Sequence, residues 1–78
     1  MPWWHIIWTT RALEKIEEHG ITAEEAEYVL FHPEEETTSR SSGLPAARGR
    51  TASGREIFVV YRDHDDGVTI EPITAYEV

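Results

Sequence analysis

The spacing of apolar residues changes near residue 36 of this chain of 78 residues. Between residues 12 and 30 apolar residues recur every three or four positions, as in helices, and after residue 36 they follow the period of two that is typical of strands. Helices followed by a run of strands indicate an α+β domain, with the helices covering one face of a sheet. A chain of this length supports only one hydrophobic core, so we predict a single domain over residues 1–78.

The start of the chain predicts a strand and a first helix. Residues 4–8 are aromatic and β-branched, which favours a strand with two apolar faces. Thr9 or Thr10 can cap the helix that follows, and Gly20 ends it. A left-handed Gly20 would allow a Schellman closure, with Ile21 packed on the last turn.

A second helix is predicted to begin immediately after this turn. The spacing Thr22-x-x-Glu25 is that of a capping box, in which each side chain satisfies a free backbone N–H. Pro33 disfavours helical geometry in the residue before it, so the helix should end near Phe31. We therefore expect two antiparallel helices joined by one tight turn.

The second half of the chain predicts an antiparallel sheet. The continuous apolar run 57–61 lies between two turn sequences and is expected to be the central strand. Pro72 interrupts the last strand and requires an edge position or a bulge there. The predicted order is β-α-α-β-β-β, with a three- to four-stranded antiparallel sheet and strands at residues 37–40, 46–51, 55–62 and 68–76.

The charge of the chain is unevenly distributed. The formal net charge is −8, but residues 37–62 carry five arginines against a single glutamate. Arginine binds phosphate and carboxylate groups through paired hydrogen bonds, so this segment fits anion recognition or, alternatively, a solvated strand edge. The period of two places Arg48 and Arg50 on one side of their strand, where Arg55 or Arg62 and Tyr76 are expected to join them.

Several motifs together resemble the BrnT-like toxins of bacterial toxin-antitoxin pairs, which belong to the RelE/ParE-like fold. The resemblance spans most of the chain and is carried by residues 8–13, 18–26, 32–33, 49, 54–61 and 73–75. It implies a β-α-α-β-β-β domain with metal-independent ribonuclease activity, restrained by an antitoxin protein. It implies no cofactor and no metal.

In ribonucleases of this type the RNA 2′-hydroxyl attacks the neighbouring phosphate, and the protein stabilises the added negative charge. Arginines suit that role, and proton transfer needs a histidine or a tyrosine, with His64, Tyr61, Tyr76 and His19 as the options. His19 has a structural alternative, since it lies at a predicted helix end. The predicted catalytic residues are Arg48, Arg50, Arg55, Tyr76 and His64, and the predicted RNA-binding residues are Arg40, Arg62 and Tyr61.

A non-catalytic protein-interaction module is the alternative function. Trp3, Trp4 and Trp8 fall within six positions, and such aromatics anchor interfaces or form an oligomer contact as readily as they fill a core. The chain has no cysteine and no apolar segment long enough for a membrane span. We therefore expect a cytoplasmic protein with no membrane partner.

Overall fold

The computed structural model describes residues 5–78. In chain order the elements are β1 (His5–Ile6), α1 (Thr10–Glu18), α2 (Ala23–Phe31), β2 (Glu35–Thr38), β3 (Pro45–Arg50), β4 (Glu56–Asp63) and β5 (Thr69–Glu77). Trp3 and Trp4, which belong to the predicted aromatic contact, lie outside the described residues. Within them, no helix is long and apolar enough to cross a bilayer.

Local hydrogen bonds define both ends of α1. The Thr9 hydroxyl accepts from the Ala12 N–H at 3.1 Å, so Thr9 is the N-cap. At the other end Gly20 has a φ of 72°, and the Ile21 N–H donates to the Ile16 carbonyl at 2.9 Å. This is the predicted Schellman closure, in which a residue free of a Cβ takes the left-handed conformation.

The predicted capping box begins α2. Glu25 N–H donates to the Thr22 hydroxyl at 3.1 Å, and Glu25 Oε1 accepts from the Thr22 N–H at 3.0 Å. The helix ends at Phe31, two residues before Pro33, as expected. The helices pack on different parts of the sheet, α1 against β5 and α2 against β3 and β4.

The α+β class is confirmed, but the sheet differs from the prediction. Its five strands lie in the order β1-β5-β4-β3-β2 among the described residues. Neighbouring strands from β2 to β5 are antiparallel, whereas β1 pairs parallel with β5, His5 opposite Thr69. The sheet is therefore mixed rather than antiparallel with three to four strands. A two-residue strand carries too little sequence pattern to specify its direction.

A bulge accommodates Pro72 in β5. Val60 lies opposite Thr74 while Tyr61 lies opposite Pro72, so Ile73 is the extra residue of β5. β1 pairs with β5 only as far as Ile70, which leaves that side of Pro72 without a strand neighbour. Both solutions expected for a proline in a strand, a bulge and a sheet edge, therefore occur at this position.

The core lies between the helices and one face of the sheet. Alternate residues of β4 face the helices, namely Ile57, Val59 and Tyr61. They are buried in one cluster with Val29 of α2 and Ile16 of α1. β4 lies at the centre of the sheet, as predicted. A Cβ built on Gly49 would lie 3.3 Å from both the His32 carbonyl oxygen and Val29 Cγ1, so β3 and α2 approach closely there.

Candidate functional site

The face of the sheet turned away from the helices, hereafter the outer face, presents Arg48, Phe58 and Tyr76 on adjacent strands. Arg48 is the cross-strand partner of Phe58, and Phe58 is the partner of Tyr76. The two aromatic rings lie 5.4 Å apart at an interplanar angle of 31°, and Tyr76 is 37% exposed. Tilted rings at this spacing present an apolar surface on which a planar group can stack.

A cleft of about 480 Å³ adjoins this aromatic pair. The loop between β2 and β3 forms its other wall, closed by Gly43 N–H donating to the Ser39 carbonyl at 2.8 Å. Arg40, from that loop, is exposed and makes no hydrogen bond or ion pair with a described residue. The cleft is lined by Thr37, Thr38, Ser39, Arg40, Ser41, Phe58, Tyr76 and Val78.

Arg48 is held by two carboxylates. Its Nε donates to Glu35 Oε1 at 2.9 Å, and its Nη1 donates to Glu56 Oε2. The hydrogen bond to Glu35 and then that to Glu56 raise the pKa of Arg48. Arg50 lies on the same side of β3, as predicted, with Nε 3.9 Å from Glu34 Oε2.

Arg55 lies on the helix side of the sheet, apart from Arg48 and Arg50. Its Nη1 donates to the Gly20 carbonyl and to both Glu25 oxygens at 3.1 Å, and its Nη2 donates to Glu77 Oε1 at 3.2 Å. The hydrogen bond to Glu77 is the largest cause of the raised pKa of Arg55. The guanidinium groups therefore do not converge on one face.

Arg55 nevertheless lies at the same end of the sheet as Tyr76. Gly20 and Glu77, which accept its hydrogen bonds, directly follow His19 and Tyr76 in the sequence. The rings of His19 and Tyr76 have centroids 6.1 Å apart. His19, Arg55 and Tyr76 thus lie at the same end of the sheet, and His19 contributes an imidazole beside Tyr76.

His64 lies at the opposite end of β4 from this group. It belongs to the β4–β5 turn, where its Nε2 is 3.2 Å from Glu71 Oε1. His64 follows Phe58 by six positions, five of them within β4, which places it about 20 Å from the aromatic pair at about 3.3 Å per residue. The structure therefore separates this predicted proton-transfer group from Arg48 and Tyr76.

The other two predicted RNA-binding residues lie elsewhere. Tyr61 is 5% exposed in the core beneath the helices, and burial, followed by the charges of Asp63 and Glu36, raises the pKa of its phenol. Arg62 lines a second cleft, beside α1 and β5. Neither side chain adjoins the outer-face cleft.

Phe58 is the aromatic residue of the cleft that was not predicted from the sequence. It lies within the apolar run 57–61, and its assignment to the outer face needs the register with Tyr76. Trp8 is partly buried against the core, and its indole N–H donates to Glu27 Oε2 at 2.7 Å.

No protein-family model matches the sequence, and no curated protein and no solved structure is significantly similar to it.

Proposed function

We propose that the protein binds single-stranded RNA on the outer face and cleaves it without a metal, as the toxin of a bacterial toxin-antitoxin pair. The observation that carries the proposal is the row of rings from Phe58 through Tyr76 to His19, with spacings of 5.4 and 6.1 Å. The toxin assignment also relies on the sequence resemblance described above. An antitoxin would be the protein partner.

Binding is assigned to the cleft beside Phe58 and Tyr76. Stacking of a base on an aromatic ring contributes about 1–3 kcal/mol and tolerates any base, because every base has a π face. Arg40 supplies a cation for the RNA backbone that no carboxylate of the described residues neutralises. The cleft volume of about 480 Å³ lies within the range of small-molecule sites, roughly 300–1,000 Å³.

Cleavage is assigned to His19, with Arg55 as the charged group. The 2′-oxygen attacks phosphorus and gives its proton to the His19 imidazole, while the bond from phosphorus to the 5′-oxygen breaks. The leaving 5′-oxygen takes a proton from water, and the hydroxide that remains takes the proton from the His19 imidazolium. The products are a 2′,3′-cyclic phosphate and a 5′-hydroxyl. Arg55 stabilises the negative charge on the phosphate oxygens electrostatically. Imidazole suits the first proton transfer because it exchanges protons near neutral pH.

A binding experiment tests the RNA site. Fluorescence anisotropy of a labelled RNA oligonucleotide should show saturable binding to the purified protein. Tyr76→Ala should weaken it about 5- to 150-fold, the equivalent of about 1–3 kcal/mol, whereas Tyr28→Ala, at an exposed tyrosine of α2, should not. Arg40→Ala should weaken binding more than Arg50→Ala, which removes the same charge from a position of β3 that does not line the cleft. Equal losses within each pair would contradict the assignment.

A cleavage experiment tests the role of His19. His19→Ala should reduce the rate of RNA cleavage about 100- to 10,000-fold, because it removes the proton acceptor. RNA affinity should stay within about threefold, because His19 does not line the binding cleft. His32→Ala is the matched control, since His32 also caps the end of a helix. Unchanged cleavage in His19→Ala would refute this role.

The protein-interaction module is a second candidate, favoured by one observation. Arg48 and Arg55 are each bound to two carboxylates, which reduces their attraction for RNA phosphates. Under this alternative the purified protein cuts no RNA at any concentration, and substitutions on the outer face alter only partner binding. Induced expression in a bacterial host separates the two, because only the toxin should arrest growth in a manner relieved by His19→Ala.

A further inference from the structure

A second cleft, of about 260 Å³, lies between the first turns of α1 and the bulged part of β5. Arg11 and Lys15 from α1 and Arg62 from β4 line it, and all three are exposed. Ala12 and Pro72 supply a buried apolar floor. Three cations therefore surround one small concavity in a chain whose net charge is −8.

These three cations differ from Arg48 and Arg55 in having no partner. None of them forms an ion pair or a side-chain hydrogen bond with a residue of the 5–78 range. Arg11 and Lys15 are four residues apart on α1, a spacing at which like charges destabilise a helix. The first turn of α1 carries no acidic residue, so the helix dipole adds to the positive potential.

The cleft also contains one carboxylate. Glu71 lines it, with Oε1 3.2 Å from Nε2 of His64. Three cations and Glu71 leave two net positive charges, which match the roughly −1.5 to −2 charge of a phosphate monoester at pH 7. The cleft is smaller than most drug-sized pockets, about 300 Å³ and above, and so fits a phosphate group with a few attached atoms.

We propose that this cleft binds a phosphate monoester, with Arg11, Lys15 and Arg62 as the binding residues. Arginine donates paired hydrogen bonds to phosphate oxygens, and lysine adds a point charge. The site is separate from the cleft beside Tyr76 and does not depend on RNA binding. Two Arg and one Lys from two elements converge there, so the affinity should depend on all three.

A titration followed by amide chemical shifts in two-dimensional NMR tests the site in the full chain. Methyl phosphate, added against sodium chloride at equal ionic strength, should shift the amides of Arg11, Ala12 and Ile73 in a saturable manner. Inorganic phosphate is the second probe, and tighter binding of methyl phosphate than of inorganic phosphate identifies the ester as the ligand.

Variants distinguish a site from general charge effects. Arg11→Ala and Arg62→Ala should each weaken methyl phosphate binding about five- to tenfold, which is the loss of one charged hydrogen-bonding group at an exposed site. Arg50→Ala is the matched control, because Arg50 is exposed and lines neither cleft, and it should change the affinity less than twofold. Shifts that stay linear into the tens of millimolar, equal losses in Arg50→Ala, or tighter binding of inorganic phosphate would overturn the proposal.

Discussion

The guanidinium of Arg55 binds the same carboxylate that caps α2, since both Arg55 Nη1 and the Thr22 N–H donate to Glu25 Oε1. The Thr22 hydrogen bond is the largest cause of the lowered pKa of Glu25, and Arg55 lowers it further. Arg55 also donates to Glu77 of β5. One side chain thus connects the start of α2 to the end of the sheet.

Replacing Arg55 should therefore destabilise the fold as well as the proposed site. We expect Arg55→Ala to lower the melting temperature by several degrees, because it leaves Glu25 and the Gly20 carbonyl without this donor. Thermal unfolding followed by circular dichroism measures the change. Arg50→Ala should have a smaller effect, since the single contact of Arg50 with Glu34 is 3.9 Å long. Equal losses would contradict the structural role of Arg55.

The threonine of the capping box should contribute measurably to stability. Thr22→Ala removes the hydroxyl that accepts from the Glu25 N–H, and we expect it to reduce the free energy of unfolding by about 1 kcal/mol. Urea unfolding measures this change. Thr22→Ser keeps the hydroxyl, so its free energy of unfolding should decrease by only a few tenths of the amount lost in Thr22→Ala. A similar loss in both variants would argue against the cap as the cause.

Close packing of β3 on α2 should make Gly49 intolerant of a side chain. In Gly49→Ala the new Cβ meets a backbone oxygen of His32 and the fully buried Val29, neither of which moves readily. We expect a loss of about 1–3 kcal/mol, typical of overpacking. A double-mutant cycle with Val29→Ala should then give less than additive losses, because the smaller residue makes room. Strict additivity would exclude the Val29 contact as the source.

The β4–β5 turn should make stability depend on pH. Asp66 accepts hydrogen bonds from the Thr69 hydroxyl and from the Val68 and Thr69 N–H groups, in that order of effect, and its pKa is lowered to about 2. A carboxyl group with a lowered folded-state pKa stabilises the fold above its unfolded pKa, and this contribution disappears as the pH falls.

We therefore expect the free energy of unfolding to decrease between about pH 4 and pH 2, the interval between the unfolded and folded pKa values of Asp66. Asp66→Asn should remove this part of the dependence, as measured by urea unfolding over that range. Asp65→Asn is the control, because Asp65 makes no hydrogen bond or ion pair with a described residue. A profile of Asp66→Asn parallel to that of the unaltered protein would contradict the prediction.

Short-range features could be predicted from the sequence. The N-cap at Thr9, the Schellman turn at Gly20 and the capping box at Thr22 each depend on residues within about five positions. Their hydrogen bonds form within a single turn, so the pattern of residue types is sufficient to specify them. The position of Arg48 and Arg50 on one side of β3 could be predicted in the same way, because it depends only on the period of two within a single strand.

The positions of Arg55 and His19 could not be predicted in this way. Residues 57–61 are all apolar, so the sequence does not reveal which alternate positions of β4 face the helices. Arg55 shares a face with Ile57, and only the buried environment of Ile57 places that face under α2. The proximity of His19 to Tyr76 depends on how α1 lies along β5, which no local pattern determines.

The parallel pairing of β1 with β5 has a consequence for the order in which the sheet forms. His5 and Thr69 lie far apart in the sequence, so their pairing closes a long loop, whereas short connections join β3 to β4 and β4 to β5. Closing the longer loop costs more conformational entropy, so β1 should dock only after the antiparallel strands have paired.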